Sequence, residues 1–136
     1  MAFSTIDKAK SYFEPVKYTG TGSSNAITSL SQQPDFLWIK KANGAEHHIL
    51  IDSVRGLDKQ IYSSHSSSED TNAQSVTAVS SNGFTVGTNA QTNDSGSIFW
   101  ALNWKGGTTS GLSGGDITPS AYSINATAGF GIYKYT

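Results

Sequence analysis

Short runs of apolar residues, separated by polar stretches, predict β-strands along the whole chain. The clearest runs are 36–39 and 98–102, which are apolar on both faces and too short for helices. The predicted strands are 13–19, 35–41, 47–54, 59–62, 76–79, 83–87, 98–104, a weaker one at 116–122, and 130–136. Pro15 cannot donate to a sheet ladder, so strand 13–19 is expected at a sheet edge.

Turn signals between these runs favour antiparallel pairing. Asn43-Gly44 and Ser81-Asn82-Gly83 each follow a predicted strand and are typical of tight hairpins. Helical structure is limited to one short turn that Ser4 or Thr5 would cap. The sequence therefore predicts an all-β, antiparallel β-sandwich of jelly-roll-like type in a single domain, with an N-terminal arm at 1–12 and the module at 13–136.

The strand at 98–104 gives the strongest expectation for the core. Ile98, Trp100, Leu102 and Trp104 share one face by the period of two. Burying these side chains is worth roughly 8–10 kcal/mol of transfer free energy, so this face should lie on the core or against another subunit. The predicted structural core comprises Trp38, Ile39, Trp100, Leu102 and Trp104.

Composition narrows the classes of function. The 136 residues carry a net charge of -1 and only 14% charged residues, so nucleic acid is not an expected partner. The absence of cysteine excludes disulfides and thiol chemistry. No apolar stretch is long enough for membrane insertion. The first ten residues lack the apolar core of a signal peptide, so synthesis in a cytoplasm is expected.

Candidate catalytic and metal-binding residues are weak. His47 and His48 are neighbours in a predicted strand and would point to opposite faces, so a metal site would need a further ligand such as His65. No nucleophile elbow is present, and the acidic residues do not form a pair in an aromatic setting. We therefore expect no enzyme activity, no metal and no cofactor.

Polar loops are the better candidates for binding. Asn93, Asp94 and Ser95 lie in one predicted loop and Asn72 in another. Loops on a rigid scaffold commonly carry recognition, and these side chains can form hydrogen bonds with sugar hydroxyls. These four residues are the predicted ligand-binding set, whereas the tryptophans are expected in the core.

Several sequence blocks occur in an order that suggests a family. They are Tyr18-Thr19-Gly20-Thr21-Gly22, Gln-Pro-Asp-Phe-Leu-Trp-Ile-Lys at 33–40, Asp52-Ser53-Val54-Arg55-Gly56, and the stretches 81–87 and 100–105. From about residue 5 onward the chain resembles a repeat module of tail-fibre and other virion proteins of tailed phages, especially phages of aquatic bacteria. This resemblance implies a non-enzymatic structural or adhesion protein on the virion surface, as a tail-fibre, capsid-decoration or head-fibre module.

An internal repeat agrees with a modular organisation. The pattern F-x-x-x-K-Y-T occurs at 13–19 and again at 130–136, as expected for one unit of a tandem array. The expected partners are further copies in a homo-oligomer, with a trimer favoured, other virion proteins and host-surface glycans. The alternatives are a free lectin-like carbohydrate-binding protein and, third, a polysaccharide-cleaving tailspike enzyme.

Overall fold

Antiparallel strands form nearly all the regular structure of residues 6–135, which are the residues that the computed structural model describes. The strands are β1 (Phe13–Thr19), β2 (Asn25–Ile27), β3 (Phe36–Lys41), β4 (Ile49–Asp52), β5 (Gly56–Tyr62), β6 (Asp70–Thr71), β7 (Ala78–Ser80), β8 (Gly83–Val86), β9 (Ile98–Trp104), β10 (Ala121–Asn125) and β11 (Phe130–Lys134). The helical elements are a 3₁₀ turn at Ala9–Ser11 and a single α-helical turn, α1 (Ala90–Asn93). The predicted all-β class is confirmed.

The strands are arranged in two sheets and a separate hairpin. The large sheet has the order β1-β9-β3-β4-β5-β6, and the small sheet has the order β2-β8-β7. Strands β10 and β11 pair only with each other as named strands. β1 lies at the edge of the large sheet, which agrees with the expectation from Pro15. No helix among residues 6–135 is long and apolar enough to cross a membrane.

The core lies between the inner face of the large sheet and the small sheet, as in a β-sandwich. Its fully or nearly fully buried side chains include Leu37, Ile39, Ile49, Ile51, Phe99 and Ala101 from the large sheet and Ile27, Phe84 and Val86 from the small sheet. Tyr18 stacks on Phe99 at 5.3 Å and meets the edge of Phe84 at 5.9 Å between ring centroids. Burial raises the pKa of Tyr18, whose hydroxyl donates to the Thr92 carbonyl at 2.6 Å.

The face of β9 that the sequence assigned to the core is the wrong one. Phe99, Ala101 and Asn103 are the buried residues of β9, whereas Trp100 is 45% exposed. Leu102, Trp104 and Trp38 lie half-buried on the outer face of the large sheet, and of the five predicted core residues Ile39 alone is fully buried. Both faces of β9 carry apolar residues, so the choice between them depended on the polar residue Asn103.

A buried asparagine explains why the inner face was overlooked. The Nδ2 atom of Asn103 donates to the carbonyls of Glu14 at 2.9 Å and Ala101 at 3.0 Å. These two bonds offset part of the cost of removing the amide from water, while its buried Oδ1 accepts no hydrogen bond from the described residues. In the sequence, Asn103 makes its face look polar, although that face packs against the small sheet.

The β10–β11 hairpin covers one end of the outer face. The ring of Phe130 lies 6.1 Å from the rings of both Trp104 and Phe36, nearly parallel to the indole. Phe13 contacts the same indole at 4.7 Å. The phenylalanines of both copies of the F-x-x-x-K-Y-T repeat therefore meet at Trp104.

Some short elements differ from the prediction. β2, β6 and α1 occur in stretches or at boundaries that the sequence assigned to loops. β10 overlaps the weak strand expected at 116–122 only at its last two residues and continues to Asn125. β2 and β6 are stabilised by pairing with β8 and β5, a long-range effect that local pattern does not reveal. Ser4 and Thr5, the expected caps, and Thr136, the end of the last predicted strand, lie outside the described residues.

Candidate functional site

Asn93, one of the predicted ligand-binding residues, is fully buried. Its Oδ1 accepts from the backbone amide of Thr21 at 2.9 Å, and its Nδ2 donates to the carbonyls of Ser23 at 2.5 Å and Gly87 at 2.6 Å. These bonds use both ends of the amide to join three loop segments. Asn93 therefore has a structural role and no free group to offer a ligand.

The neighbouring loop residues are also largely engaged within the chain. The Asp94 carboxylate accepts from Lys41 Nζ at 2.7 Å and Ser97 Oγ at 2.8 Å, and these contacts lower the pKa of Asp94. Asn72 Oδ1 accepts from the amide of Gln74 at 3.0 Å, which closes a turn. Ser95 is exposed. No hydrogen bond or ion pair among the described residues joins Asn72 to the loop at 93–95.

A polar groove lies at the other end of β9 from the loop at 93–95. It has a volume of about 820 Å³, within the range of small-molecule sites, and we call it the end groove. Its lining residues come from loops that flank strands of both sheets and from the hairpin: Gln33, Asp35, Ser53, Val54, Ser81, Lys105, Gly107, Thr109 and 120–123. The groove is therefore assembled from segments far apart in sequence.

Asp35 is held in place at the start of β3. Its Oδ1 accepts from Ser53 Oγ at 3.0 Å and its Oδ2 from the Gly106 amide at 2.9 Å. The Asp35 amide donates to the Trp104 carbonyl at 2.8 Å, and the Ser53 amide donates to the Asp35 carbonyl at 2.9 Å. A carboxylate has about four lone-pair positions, so each oxygen keeps capacity to accept from a ligand hydroxyl.

Beside Asp35, the lining of the end groove depends on a close approach of the Gly106 backbone to the Ser123 side chain. A Cβ atom at Gly106 would collide with Ser123 Oγ, so a glycine is needed here. Ser123 Oγ accepts from the Gly107 amide at 2.9 Å. Thr108 and Ile124 exchange two backbone hydrogen bonds of 2.9 Å, which fix the segment after β9 against the hairpin.

Tyr122 adds an aromatic residue to the lining of the end groove. Its hydroxyl accepts from the Leu112 amide at 2.9 Å, and the residue is half-buried. Because successive residues of a strand point to opposite faces, its ring lies on the other face of the hairpin from Ser123 Oγ. An aromatic ring at the margin of a polar surface can pack on the apolar face of a sugar whose hydroxyls the polar groups bind. The combination of an aromatic residue with many neutral polar groups fits a saccharide.

The charge of the end groove favours a neutral ligand. Asp35 is the single carboxylate and Lys105 the single ammonium among the described residues that line it. One cation is too few for a phosphate-rich ligand, and the scattered apolar groups are too few for a lipid. Hydrolysis of a glycosidic bond by paired carboxylates would need a second acid, which the described lining does not include.

The three histidines lie at the end of the large sheet where β4 begins and β5 ends. His47 and His65 have ring centroids 4.5 Å apart, and His48 Nδ1 accepts from Trp38 Nε1 at 2.9 Å. Burial, with the nearby charges of Lys40 and His47, lowers the pKa of His48. Among residues 6–135 no group of three or more His, Asp or Glu side chains is placed to hold a metal ion.

Two of the sequence blocks contain residues of the end groove, but the sequence did not predict that a groove forms there. Asp35 lies in the Gln-Pro-Asp-Phe block and Ser53 in the Asp-Ser-Val-Arg-Gly block, and the fold brings these blocks together. Tyr122 and Ser123 lie at the end of the weak predicted strand and just beyond it, with no local feature that marks them as site residues.

The fold and the groove define a small all-β domain of β-sandwich type with a polar groove at one end. Residues 8–136 match the model of a family described as a domain of unknown function, DUF7483, and the chain belongs to that family. No curated protein and no solved structure matches the chain.

Proposed function

We propose that this protein is a non-enzymatic adhesion module on the surface of a phage virion, and that it binds host-surface saccharides through the end groove. The observation that carries the binding role is the fixed Asp35 carboxylate in a concave polar groove of about 820 Å³ whose lining also includes Tyr122. The virion location rests on the resemblance of the sequence blocks to phage tail-fibre and virion modules.

Other virion proteins and further copies of the chain are the proposed partners. A groove that offers one carboxylate, one ammonium and several hydroxyls binds a single sugar weakly, because such contacts largely replace equivalent ones with water. Adhesion would then depend on many copies displayed together, since linked weak sites act at high effective concentration. Display on a particle supplies that arrangement.

The binding role is tested by following backbone amide signals by NMR while methyl glycosides of glucose, galactose, mannose and N-acetylglucosamine are added. We expect saturable shifts at the amides of Asp35, Ser53 and Gly107. The double variant Gln33→Ala/Lys105→Ala should weaken binding by roughly tenfold, since it removes exposed polar groups without touching the Asp35 anchors.

A matched control is Lys17→Ala/Gln91→Ala, which removes the same residue types. Neither residue lines the end groove, and Lys17 pairs with Trp100, toward the other end of β9. The control should bind like the wild type. If none of the four glycosides shifts the groove amides, or if the shifts occur only elsewhere, the saccharide role of the end groove is refuted.

A free lectin-like protein is the second candidate, because the end groove supports saccharide binding whether or not a particle carries it. Mass spectrometry of purified virions, from the phage whose genome encodes the chain, separates the two. Recovery of the chain at a stoichiometric level in washed particles supports the adhesion module. Recovery only in the particle-free medium, with sugar binding intact, supports the lectin.

A further inference from the structure

Among residues 6–135, the sheet edges are protected in all but one case. An open edge presents unpaired backbone N–H and C=O groups that can pair with another chain, and folded proteins usually block it with proline, extreme shortness or a covering segment. The edge strand β1 carries Pro15, and the opposite edge, β6, has only two residues. The small sheet ends in β2 and β7, each of three residues.

Strand β11 has none of these protections. It is five residues long, contains no proline and pairs on one side only, with β10. The far side of β10 is occupied, because Ile124 exchanges two backbone hydrogen bonds with Thr108. In the part of the chain that the structure describes, no segment pairs with the far side of β11.

The alternation of hydrogen-bonded and non-hydrogen-bonded pairs in the hairpin shows which backbone N–H and C=O groups of β11 point away from β10. Ile124 directs both its N–H and its C=O to Thr108, so it makes no ladder bonds with its register partner Gly131. Gly131 must therefore direct its own backbone groups away from β10, and so must Tyr133 two residues later. Both residues are exposed, and Tyr133 is 46% accessible.

A cleft runs beside this open edge. It has a volume of about 480 Å³ and is lined by residues of β11 but by none of β10. Its floor is the outer face of the large sheet, with Phe36, Val54 and Ile61, and Arg55 and Glu69 form an ion pair of 3.0 Å at its rim. A strand added to β11 would cover this apolar floor.

We infer that β11 is a self-association edge, and that its partner is β11 of a second copy, running antiparallel. A twofold axis at Ile132 would place Gly131 opposite the partner's Tyr133 and Tyr133 opposite the partner's Gly131. Each of these two pairs would then exchange both backbone hydrogen bonds. The edge is complementary to itself, because the outward-facing residues lie symmetrically about Ile132.

The side chains at this edge suit such a pairing. Within one copy the Tyr133 ring already lies over Gly131, where a Cβ atom would meet it at 2.7 Å. Across the twofold axis each glycine would leave room for the partner's ring, an arrangement that stabilises glycine in strands. The resulting four-stranded sheet would bury Tyr133 and part of the exposed surface of Tyr135.

This inference rests on the homo-oligomeric part of the proposed function and is independent of saccharide binding. A twofold contact gives a dimer, whereas the sequence resemblance favoured a trimer. The test therefore combines the solution mass from light scattering over a dilution series with hydrogen exchange of individual amides in the wild type. The amides of Gly131 and Tyr133 should gain at least about tenfold protection as the dimer forms.

The variant Tyr133→Pro removes an outward N–H and leaves the β10 ladder intact, so it should remain monomeric. Lys17→Pro is the matched control. The bonds of Tyr12 and Gly20 to β9 place the Lys17 N–H on the open side of β1, an edge that already contains Pro15. Lys17→Pro should dimerise like the wild type.

Three results would overturn the inference: a monomer at every concentration, an oligomer in which the Gly131 and Tyr133 amides exchange freely, or normal assembly of Tyr133→Pro. The wild-type exchange data decide the question even if a proline variant fails to fold. Sugar titration of the end groove in Tyr133→Pro should be unchanged, so a failure of association is distinguishable from a failure of saccharide binding.

Discussion

At the scale of single residues, the side chains of this protein act mainly by fixing loops. Asn93 joins three segments through three short hydrogen bonds, and Asp35 joins the start of β3 to the β4–β5 turn and to the segment after β9. The two residues differ in exposure: Asn93 is fully buried, whereas Asp35 retains access to solvent. Asn93 can therefore act only within the structure, whereas Asp35 can also bind a ligand.

The structural role of Asn93 leads to a direct prediction. Asn93→Ala would leave the Thr21 amide and the carbonyls of Ser23 and Gly87 without this partner in a buried place. Unpaired buried polar groups of this kind cost free energy, so we expect the free energy of unfolding to fall by about 3 kcal/mol. Urea unfolding measured by tryptophan fluorescence would give this value.

Ser95→Ala is the control, since Ser95 is exposed in the same loop. Its free energy of unfolding should stay within about 0.5 kcal/mol of the wild type. An Asn93→Ala protein as stable as the Ser95→Ala protein would show that the buried bonds of Asn93 contribute little.

At the scale of elements, β9 has two apolar faces with different surroundings. Phe99 is fully buried against Tyr18 in the core, whereas Trp100 lies on the outer face, between Lys17 and Lys40 in the strand register. The small sheet determines which face becomes the inner one, because it covers one side of the large sheet and the β10–β11 hairpin covers only part of the other.

We therefore expect adjacent substitutions in β9 to have very different effects. Phe99→Ala removes a buried ring and leaves a cavity, which should lower the free energy of unfolding by about 3–5 kcal/mol. Trp100→Ala should cost less than about 1 kcal/mol, because almost half of its side chain is already in water. Chemical denaturation of both variants under the same conditions measures the difference.

Equal losses for the two variants would contradict this assignment of the faces. If only Trp100→Ala lowered the free energy of unfolding, the face that carries Trp100 would be the buried one. A loss for Trp100→Ala that appears only at high protein concentration would instead indicate that this face is covered in an oligomer.

The apolar runs of the sequence predicted strands β1, β3 and β9, and Pro15 predicted that β1 lies at a sheet edge. The sequence could not identify the buried face of β9, because Asn103 makes the inner face look polar while Trp100 makes the outer face look apolar. The end groove was also beyond local pattern. Asp35, Ser53 and Ser123 meet there only because distant segments pack at one end of the sandwich.

At the scale of the whole molecule, the two proposed surfaces lie on different sides of the β10–β11 hairpin. β10 contributes Tyr122 and Ser123 to the end groove, whereas β11 lines the cleft beside the open edge. A copy can therefore associate through β11 while its end groove remains open. One strand of the hairpin would thus join two copies, while the other lines a groove that stays open to a ligand.

This separation predicts that multivalency strengthens binding without any change in the site. Copies fused to a trimeric scaffold should bind a polysaccharide-coated surface about 10²–10⁴-fold more tightly than isolated copies, because the second and third contacts become intramolecular. Their affinity for a soluble methyl glycoside should be unchanged, since one sugar occupies one groove. Surface plasmon resonance with an immobilised polysaccharide, beside NMR titration of the glycoside, measures both quantities. The same scaffold carrying Gln33→Ala/Lys105→Ala should lose most of the surface binding. If that variant binds the surface as tightly as the wild type, the attachment does not pass through the end groove.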